Sequence, residues 1–476
     1  MEYEKLGKLR NDFVQLVAEK GEAGLKQFAA RHRRDSRQNP KEVYRCNASI
    51  YGAPSAGHTF EMLIRSVHKK CGLTQTQPEP SMFVRIVVDN DDVVVGYLLA
   101  AAFVDDLRFF GTQPELERYI KEVGDQVKVT FEEPPVAEFV AIETHQDFET
   151  NTSELKMPKY WRKAAAGFAS LYSNGMQERR VPMTKYDEAF LLIEATVQEI
   201  EESKHLPYRE LLGVMSFPAS CCKFEIKYAI SVCGSRRGGW SARHFGVLLK
   251  VFEYGVWTCE IGVIYSKGLD PHGENVLYAY ADASLKVPRP HGCRIVLMNG
   301  AALSLRSKKH TITSPSSCAA EVVELFNCST DVKGLRNLVA ELGMCQQSPT
   351  VIYQDNESAI KIANNRGSLG VTSRAMDLDT LTIRNRVEDH IVETHFKPTG
   401  QMIADMATKA LPEGPFTMMR DIMNGYSLVK AAFPSKKMPE MVYKGVKDGR
   451  DETVSALTVL QTSIMKMKWL IPEDQL

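Results

Sequence analysis

The sequence lacks net charge, long apolar runs and paired cysteines. Its 59 lysines and arginines balance 59 aspartates and glutamates. The absence of a basic excess argues mildly against a surface that strongly steers nucleic acid, although a neutral total can still contain a basic groove. The longest apolar run, residues 93–104, is too short to span a bilayer. Residues 1–5 are too charged for a signal peptide. We therefore expect an intracellular protein, cytoplasmic or nuclear, without membrane association.

The cysteines do not indicate a metal site or a disulfide framework. Ten are spread along the chain without the paired spacing of zinc ligands. The adjacent pair Cys221 and Cys222 is unsuited to bridging, so reduced thiols are the expected state. The length of 476 residues suggests about three domains. A hydrophobic content of 44% and a charged content of 25% are ordinary for soluble globular protein.

Four acidic residues carry the candidate chemistry. Asp282 ends an alternating strand, Glu321 opens a long apolar-periodic helix, Asp355 follows a short β-prone run, and Asp405 lies on a later helix. Carboxylates repel one another, so a cluster of them needs cations, and hard oxygen ligands select Mg²⁺ or Mn²⁺. A pair of such ions is suited to cleaving phosphodiesters. Without metal, at least one of the carboxylates should bind a proton more readily than usual.

Each acid also has a structural interpretation. Taken alone, a strand aspartate or a helix glutamate is most often a surface residue or a cap. That interpretation is weaker for Asp282 and Asp355, which follow apolar strands, because burying an acid at the edge of a core costs free energy. Glu324, one turn along the same helix, is a rival for Glu321, and Asp405 could cap a helix. The four together favour a metal site.

Five motifs around these acids form an ordered series. They are Tyr-Ala-Asp-Ala at 280–283, the stretch at 297–309, Ser-Ser-Cys-Ala-Ala-Glu at 316–321, Tyr-Gln-Asp-Asn-Glu-Ser-Ala-Ile at 353–360, and Phe-Lys-Pro-Thr at 396–399 through Ala-Asp-Met-Ala-Thr-Lys at 404–409. In this order, over residues 273–412, they resemble the ribonuclease H domain of copia-type long-terminal-repeat retrotransposon polyproteins. The motif at 316–321 favours Glu321 over Glu324.

The resemblance implies a fold and an activity. The fold is a mixed five-stranded sheet with flanking helices, and the candidate strands are 276–282, 293–298, 302–306, 351–354 and 392–397. The activity is cleavage of the RNA strand of an RNA–DNA hybrid, with two Mg²⁺ or Mn²⁺ ions held by Asp282, Glu321, Asp355 and Asp405. The sequence departs from the family next to Asp282, where the second acid is missing. It also lacks the histidine that cellular ribonucleases H place just before the last acid, so activity could be slow.

Upstream residues resemble the reverse transcriptase of the same elements. The turn Phe-Val-Asp-Asp at 103–106 looks like the palm hairpin, with Asp105 and Asp106 as its metal-binding pair. Flanking stretches at 51–54, 79–83 and 206–213 also fit. The third palm acid is not found, since Asp12 is a poor match, and the fingers are absent. We expect the palm pair to be vestigial and the polymerase to be inactive.

The expected organisation is α/β and α+β multidomain. We assign a charged helical segment to 1–42, a partial palm to 43–150, a mostly helical thumb or connector to 151–272, the ribonuclease H-like domain to 273–412 and an extension to 413–476. An Arg-His-Arg-Arg run at 31–34 could contact phosphate, but a solvated helix face is favoured. The functional alternative to a ribonuclease is a decayed remnant that binds nucleic acid, or serves as a scaffold, without catalysis. Other parts of the polyprotein are possible partners.

Overall fold

The computed structural model describes residues 56–103, 106–127, 129–132, 138–172, 175–286, 289–365, 374–439 and 465–469. The predictions for 1–42, for Asp12 and for Asp105 lie outside the described residues. The chain divides into two compact units, residues 1–63 with 471–476, and residues 64–470. Of the first unit the structure describes only residues 56–63, where helix α1 begins. Apart from the start of α1, the features below belong to the second unit.

The strands and helices occur in separate groups along the chain. The strands are β1 (Thr74–Gln75), β2 (Met82–Val88), β3 (Val94–Phe103), β4 (Asp106–Gly111), β5 (Val129–Glu132), β6 (Glu138–Phe139), β7 (Ile142–Asp147), β8 (Thr152–Lys156), β9 (Val263–Ser266), β10 (Tyr278–Ser284), β11 (His291–Met298), β12 (Ala301–Lys309), β13 (Thr350–Gln354), β14 (Val392–Phe396) and β15 (Met465–Trp469).

The helices are α1 (Ala56–Lys70), α2 (Gln113–Gly124), α3 (Pro158–Gly167), α4 (Lys185–Leu192), α5 (Val197–Ser203), α6 (Tyr208–Cys221), α7 (Lys227–Gly234), α8 (Ala242–Trp257), α9 (Ser317–Glu341), α10 (Glu357–Ala363), α11 (Arg374–Glu388), α12 (Glu413–Met423) and α13 (Tyr426–Ala432). In the described ranges no helix has both the length and the apolar character needed to cross a bilayer.

The first sheet has the strand order β1-β2-β3-β4-β15-β5. Strands β2 and β3 are antiparallel, and the polar turn between them includes Asp92 in the left-handed region, as the Asn-Asp-Asp sequence at 90–92 predicts. Strands β3 and β4 form the next hairpin, in which Phe103 pairs with Asp106. The strands on either side of the predicted palm turn are therefore paired, and the assignment to a polymerase palm stays a prediction.

The second sheet has the order β12-β11-β10-β13-β14. The pairs β12–β11 and β11–β10 are antiparallel, whereas β10–β13 and β13–β14 are parallel. This is the mixed five-stranded sheet expected for a ribonuclease H-like domain. Because β10, β13 and β14 are parallel, their carboxyl ends lie at one edge of the sheet.

Helix α9 covers one face of this sheet. It begins where Ser316 accepts a hydrogen bond from the Ala319 backbone N–H at 3.1 Å, which satisfies one of the free donors of the first turn. Its apolar residues pack with those of β10 and β13 in one core: Leu277, Ala279, Ala281, Val322, Leu325, Cys328, Val332 and Ile352. This packing places the first turns of α9 over the carboxyl end of β10.

The opposite face of the sheet shares a core with the connector region. Strand residues of this face belong to the same buried cluster as side chains of α3, α6, α7 and α8: Tyr278, Tyr280, Cys293, Ile295, Leu297 and Leu305. Tyr265 on β9 also donates a hydrogen bond to the Ala302 carbonyl at 2.7 Å. Both faces of the sheet are thus covered, one by α9 and one by residues that precede the sheet together with residues 402–423 that follow it.

Candidate metal centre

Three of the four predicted acids meet at the carboxyl edge of the second sheet. One carboxylate oxygen from each of Asp282, Glu321 and Asp355 lies within 4.8 Å of the others. Asp282 is on β10, Asp355 directly follows β13, and Glu321 reaches in from the second turn of α9. Asp282 and Glu321 are each 5% exposed and Asp355 is partly exposed. The group is therefore open on the side of Asp355.

The fourth acid lies beside this group. Asp405 is on a short 3₁₀ helix, Ile403–Ala407, and is 4% exposed. Its carboxylate pairs with the Lys409 ammonium at 2.8 Å, and it is close enough to Asp282 to perturb its ionisation. Asp405 is not one of the three acids within 4.8 Å of each other. Its role as a direct metal ligand remains a prediction.

Two acids of the group are fixed by one neutral side chain. Gln354 is fully buried, and its Nε2 donates to Glu321 Oε2 at 3.0 Å. Its Oε1 accepts from the backbone N–H of Asp355 at 2.7 Å and of Asn356 at 3.1 Å. Gln354 therefore ties the helix that carries Glu321 to the turn that carries Asp355. Sequence analysis missed this residue, although its position immediately before Asp355 was a usable signal.

Threonine hydroxyls hold the carboxylates of Asp282 and Asp355. Thr408 donates to Asp282 Oδ2 at 2.6 Å, and Thr399 donates to Asp355 Oδ2 at 2.8 Å. Both threonines lie in the segment after β14 that also carries Asp405. This segment therefore orients acids at the ends of two strands, which local sequence patterns could not reveal.

Burial and mutual repulsion alter the acidity of the site. The pKa of Asp282 is raised to about 7, mainly by burial and further by the charges of Asp405 and Asp355, while the hydrogen bond from Thr408 lowers it. Burial likewise raises the pKa of Glu321 to about 10, with repulsion from Asp282 as the next cause. The pKa of Asp405 is also raised by burial, against the effect of Lys409. The expectation that a carboxylate here binds a proton readily is confirmed.

Glu324 has a different environment from Glu321. It is 1% exposed and pairs with Arg294 Nη1 at 3.0 Å and with His310 Nε2 at 2.9 Å. Its two oxygens are therefore engaged with side chains of the sheet edge. The structure thus leaves Glu321, rather than Glu324, in the acidic group.

The palm pair is described only in part. Asp106 begins β4, and its backbone pairs with Phe103 and with Lys468 of β15. Within the described residues, the acidic group at 282, 321 and 355 is the one set of potential metal-ligating side chains that meets the 4.8 Å criterion. The assignment of the pair at 105 and 106 as vestigial metal ligands stays a prediction.

The residues present fit a divalent cation. All donors are carboxylate oxygens, the ligand type preferred by Mg²⁺ and Mn²⁺. Burial and the neighbouring acids raise the pKa values of Asp282 and Glu321, so these two carboxyls are costly to ionise without a cation. An ion of charge +2 among them would remove that cost.

Sequence comparison relates the chain to retrotransposon polyproteins. It is 21% identical over 392 residues to the Retrovirus-related Pol polyprotein from transposon TNT 1-94 of Nicotiana tabacum, covering 81% of this chain and 28% of that protein. It is 23% identical over 384 residues to the Pol polyprotein from transposon RE2 of Arabidopsis thaliana, covering 80% and 25%. It is 20% identical over 398 residues to the transposon Ty1-DR6 Gag-Pol polyprotein of Saccharomyces cerevisiae, covering 79% and 22%. No family model matches the chain.

These matches confirm the predicted resemblance to retrotransposon polyproteins over about four-fifths of the chain. The chain spans about a quarter of the length of these curated relatives. Among solved structures, LC11-RNase H1 in complex with RNA/DNA hybrid is similar at 12% identity and a TM-score of 0.23, covering 28% of this chain and 92% of that one. The foamy viral protease-reverse transcriptase dRH in complex with double-stranded DNA is similar at 12% identity and a TM-score of 0.35, covering 72% and 49%. Because both scores are low, the fold assignment rests on the strand order of the chain itself.

Proposed function

We propose that this chain is a metal-dependent ribonuclease H that cleaves the RNA strand of RNA–DNA hybrids. The observation that supports the proposal is the meeting of Asp282, Glu321 and Asp355 within 4.8 Å at the carboxyl edge of the five-stranded sheet. The relation to retrotransposon polyproteins makes a hybrid the natural substrate. An enzyme of this kind would recognise RNA by its 2′-hydroxyls and by duplex shape.

In this proposal the acids hold two Mg²⁺ or Mn²⁺ ions, with Asp405 completing the set. When bound, the ions would activate a water molecule and stabilise the departing 3′ oxygen. Gln354 keeps Glu321 turned toward Asp355, and Thr408 keeps Asp282 turned toward Asp405. Lys409 balances the charge of Asp405.

The test compares cleavage of a labelled RNA–DNA hybrid by the wild-type chain and by Asp355→Asn in Mg²⁺. We expect a loss of at least about 100-fold, since removing a ligand should exceed the 10- to 100-fold effect typical of residues behind the ligands. Glu357→Gln is the matched control, because Glu357 is an exposed acid two residues away that pairs with Lys361. Equal cleavage by the wild-type chain and Asp355→Asn would show that the acidic group is not responsible. Hybrid binding without cleavage by the wild-type chain would support the non-catalytic alternative.

We also propose that the chain does not polymerise DNA. The support is the lack of an identified third palm acid in the sequence, since a palm needs three acids to hold its two ions. Primer extension on poly(rA) with Mg²⁺ tests this proposal. Incorporation by the purified chain, above that of a preparation with Asp106→Asn, would refute it.

A further inference from the structure

Lys397 occupies the same row of the sheet as two of the acids. The registers of the parallel strands align Tyr280 with Tyr353 and Tyr353 with His395. Two residues further along each chain segment stand Asp282, Asp355 and Lys397. Asp282 lies within β10, and Asp355 and Lys397 directly follow β13 and β14, so a row of two acids and one base stands at the carboxyl edge of these strands.

The ammonium of Lys397 points back from that row. It lies 4.3 Å from the centre of the Tyr353 ring and 5.7 Å from that of Tyr280. Both rings precede the acids by two residues, which is roughly 7 Å along an extended strand. The ammonium is therefore beside the acidic group rather than within it.

Lys397 has its charge available for a ligand. Its backbone N–H donates to the Gln354 carbonyl at 2.9 Å, which fixes the start of the side chain. In the described part of the chain no carboxylate forms an ion pair with its ammonium, whereas Lys409 is paired with Asp405. A contact with ring faces holds the cation in place and leaves its N–H donors for an anion.

We propose that Lys397 binds a backbone phosphate of the nucleic acid next to the phosphate held at the acidic group. The inference rests on the proposed function and adds a second contact point to it. The carboxylates of the site repel the phosphates of nucleic acid. The Lys397 ammonium lies beside them and can attract a phosphate directly. It would fix the hybrid along the β13–β14 edge of the site.

Binding measurements test whether the charge of Lys397 contributes to hybrid binding. All proteins carry Asp355→Asn in the full chain, so that the hybrid is not cut, and binding of a short labelled RNA–DNA hybrid is followed by anisotropy at several salt concentrations. Lys397→Met keeps the apolar stem over the rings and removes the charge. We expect the slope of log K against log salt to fall by about 1, the effect of one phosphate contact.

Lys333→Met is the matched control. Lys333 is exposed on α9, twelve residues after Glu321, which is roughly 18 Å along the helix axis. Its loss should leave the slope unchanged. Equal slopes for the parent and Lys397→Met would overturn the inference. So would tighter metal binding by Lys397→Met without a change in slope, because Lys397 would then act on the ions alone.

Neutral phosphates locate the contact. A series of hybrids each carries one methylphosphonate, at a different position. At one position near the cleavage site, the methylphosphonate should weaken binding by the parent but not by Lys397→Met. Additive losses at every position would contradict the inference. The two proposals fail differently: cleavage by the wild-type chain with unchanged slopes removes only the role of Lys397, whereas absence of hybrid binding by the parent removes both.

Discussion

Gln354 donates a hydrogen bond to Glu321 at 3.0 Å, from a strand to a helix 33 residues earlier in the chain. The same amide accepts from the backbone of Asp355, so a neutral, fully buried residue sets the distance between two acids. Residues of this kind control metal affinity by orienting the ligands.

Replacing Gln354 by methionine should therefore weaken metal binding while leaving all acids in place. Methionine fills a similar volume but can neither donate to Glu321 nor accept from the Asp355 backbone. We expect a 10- to 100-fold increase in the Mg²⁺ concentration that gives half-maximal hybrid cleavage. Saturating Mn²⁺ should restore part of the rate. A change in thermal stability with unaltered Mg²⁺ dependence would show that Gln354 supports only the fold.

Without metal, the contribution of Asp282 to stability should fall as pH rises between about 4 and about 7. An unfolded aspartate ionises near pH 4, whereas burial and neighbouring charges raise the pKa of Asp282 to about 7 in the folded chain. In that window the Asp282 carboxyl is protonated in the folded state and ionised in the unfolded state, so its contribution to the free energy of unfolding decreases with pH. The raised pKa of Glu321 continues the decrease above that window.

Thermal melts in a chelating buffer measure this effect. Asp282→Asn should flatten the decrease between pH 4 and 7, and millimolar Mg²⁺ should raise the melting temperature of the wild-type chain most at the alkaline end. Mg²⁺ stabilisation that is independent of pH, or equal in Asp282→Asn, would count against ion binding at these carboxylates.

A methyl group at Gly292 should destabilise the sheet edge near the site. A Cβ there would overlap the Glu324 carboxylate and the His310 ring, which are hydrogen bonded to each other. We expect Gly292→Ala to cost about 1–3 kcal/mol in urea unfolding, the usual range for overpacking. Gly246→Ala is the control, because Gly246 lies inside α8 with no atom within 4 Å of an added Cβ. It should stabilise the chain by about 0.5–1 kcal/mol. Equal effects of the two changes would show that Gly292 does not lie close against Glu324 and His310.

The sheet could largely be predicted from the sequence, because each strand is a short apolar or alternating run. Its bounds could not. Strand β10 continues past Asp282 to Ser284, beyond the predicted end, because Ala283 and Ser284 pair with Gly292 and His291 of β11. Cross-strand hydrogen bonds decide where a strand ends, and those depend on residues that local patterns do not include.

The acids of the site were predictable, but the groups that hold them were not. Asp282 and Thr408 are 126 residues apart in the chain, and a threonine carries no pattern of its own. The cover over the second face of the sheet was also invisible in the sequence. The apolar strand residues on that face predict that it is buried, but not which element buries it.

That cover leads to a prediction about the isolated domain. A fragment of residues 273–412 would lose the connector that shares a core with Ile295, Leu297 and Leu305, and would expose that face. It would also lose Glu188, which accepts from the Ala410 backbone at 3.2 Å. We expect this fragment to bind a hydrophobic dye and aggregate, while a fragment of residues 138–439 stays monomeric. A monomeric 273–412 fragment with the melting temperature of the full chain would contradict this.

The main proposal is that the buried carboxylates bind a pair of divalent ions. Anomalous diffraction from crystals grown with Mn²⁺ tests it most directly. We expect two peaks about 3.5–4 Å apart, contacted by Asp282, Glu321 and Asp355. An ordered site without manganese, in which Lys409 remains on Asp405 and the three acids are protonated or turned apart, would contradict it.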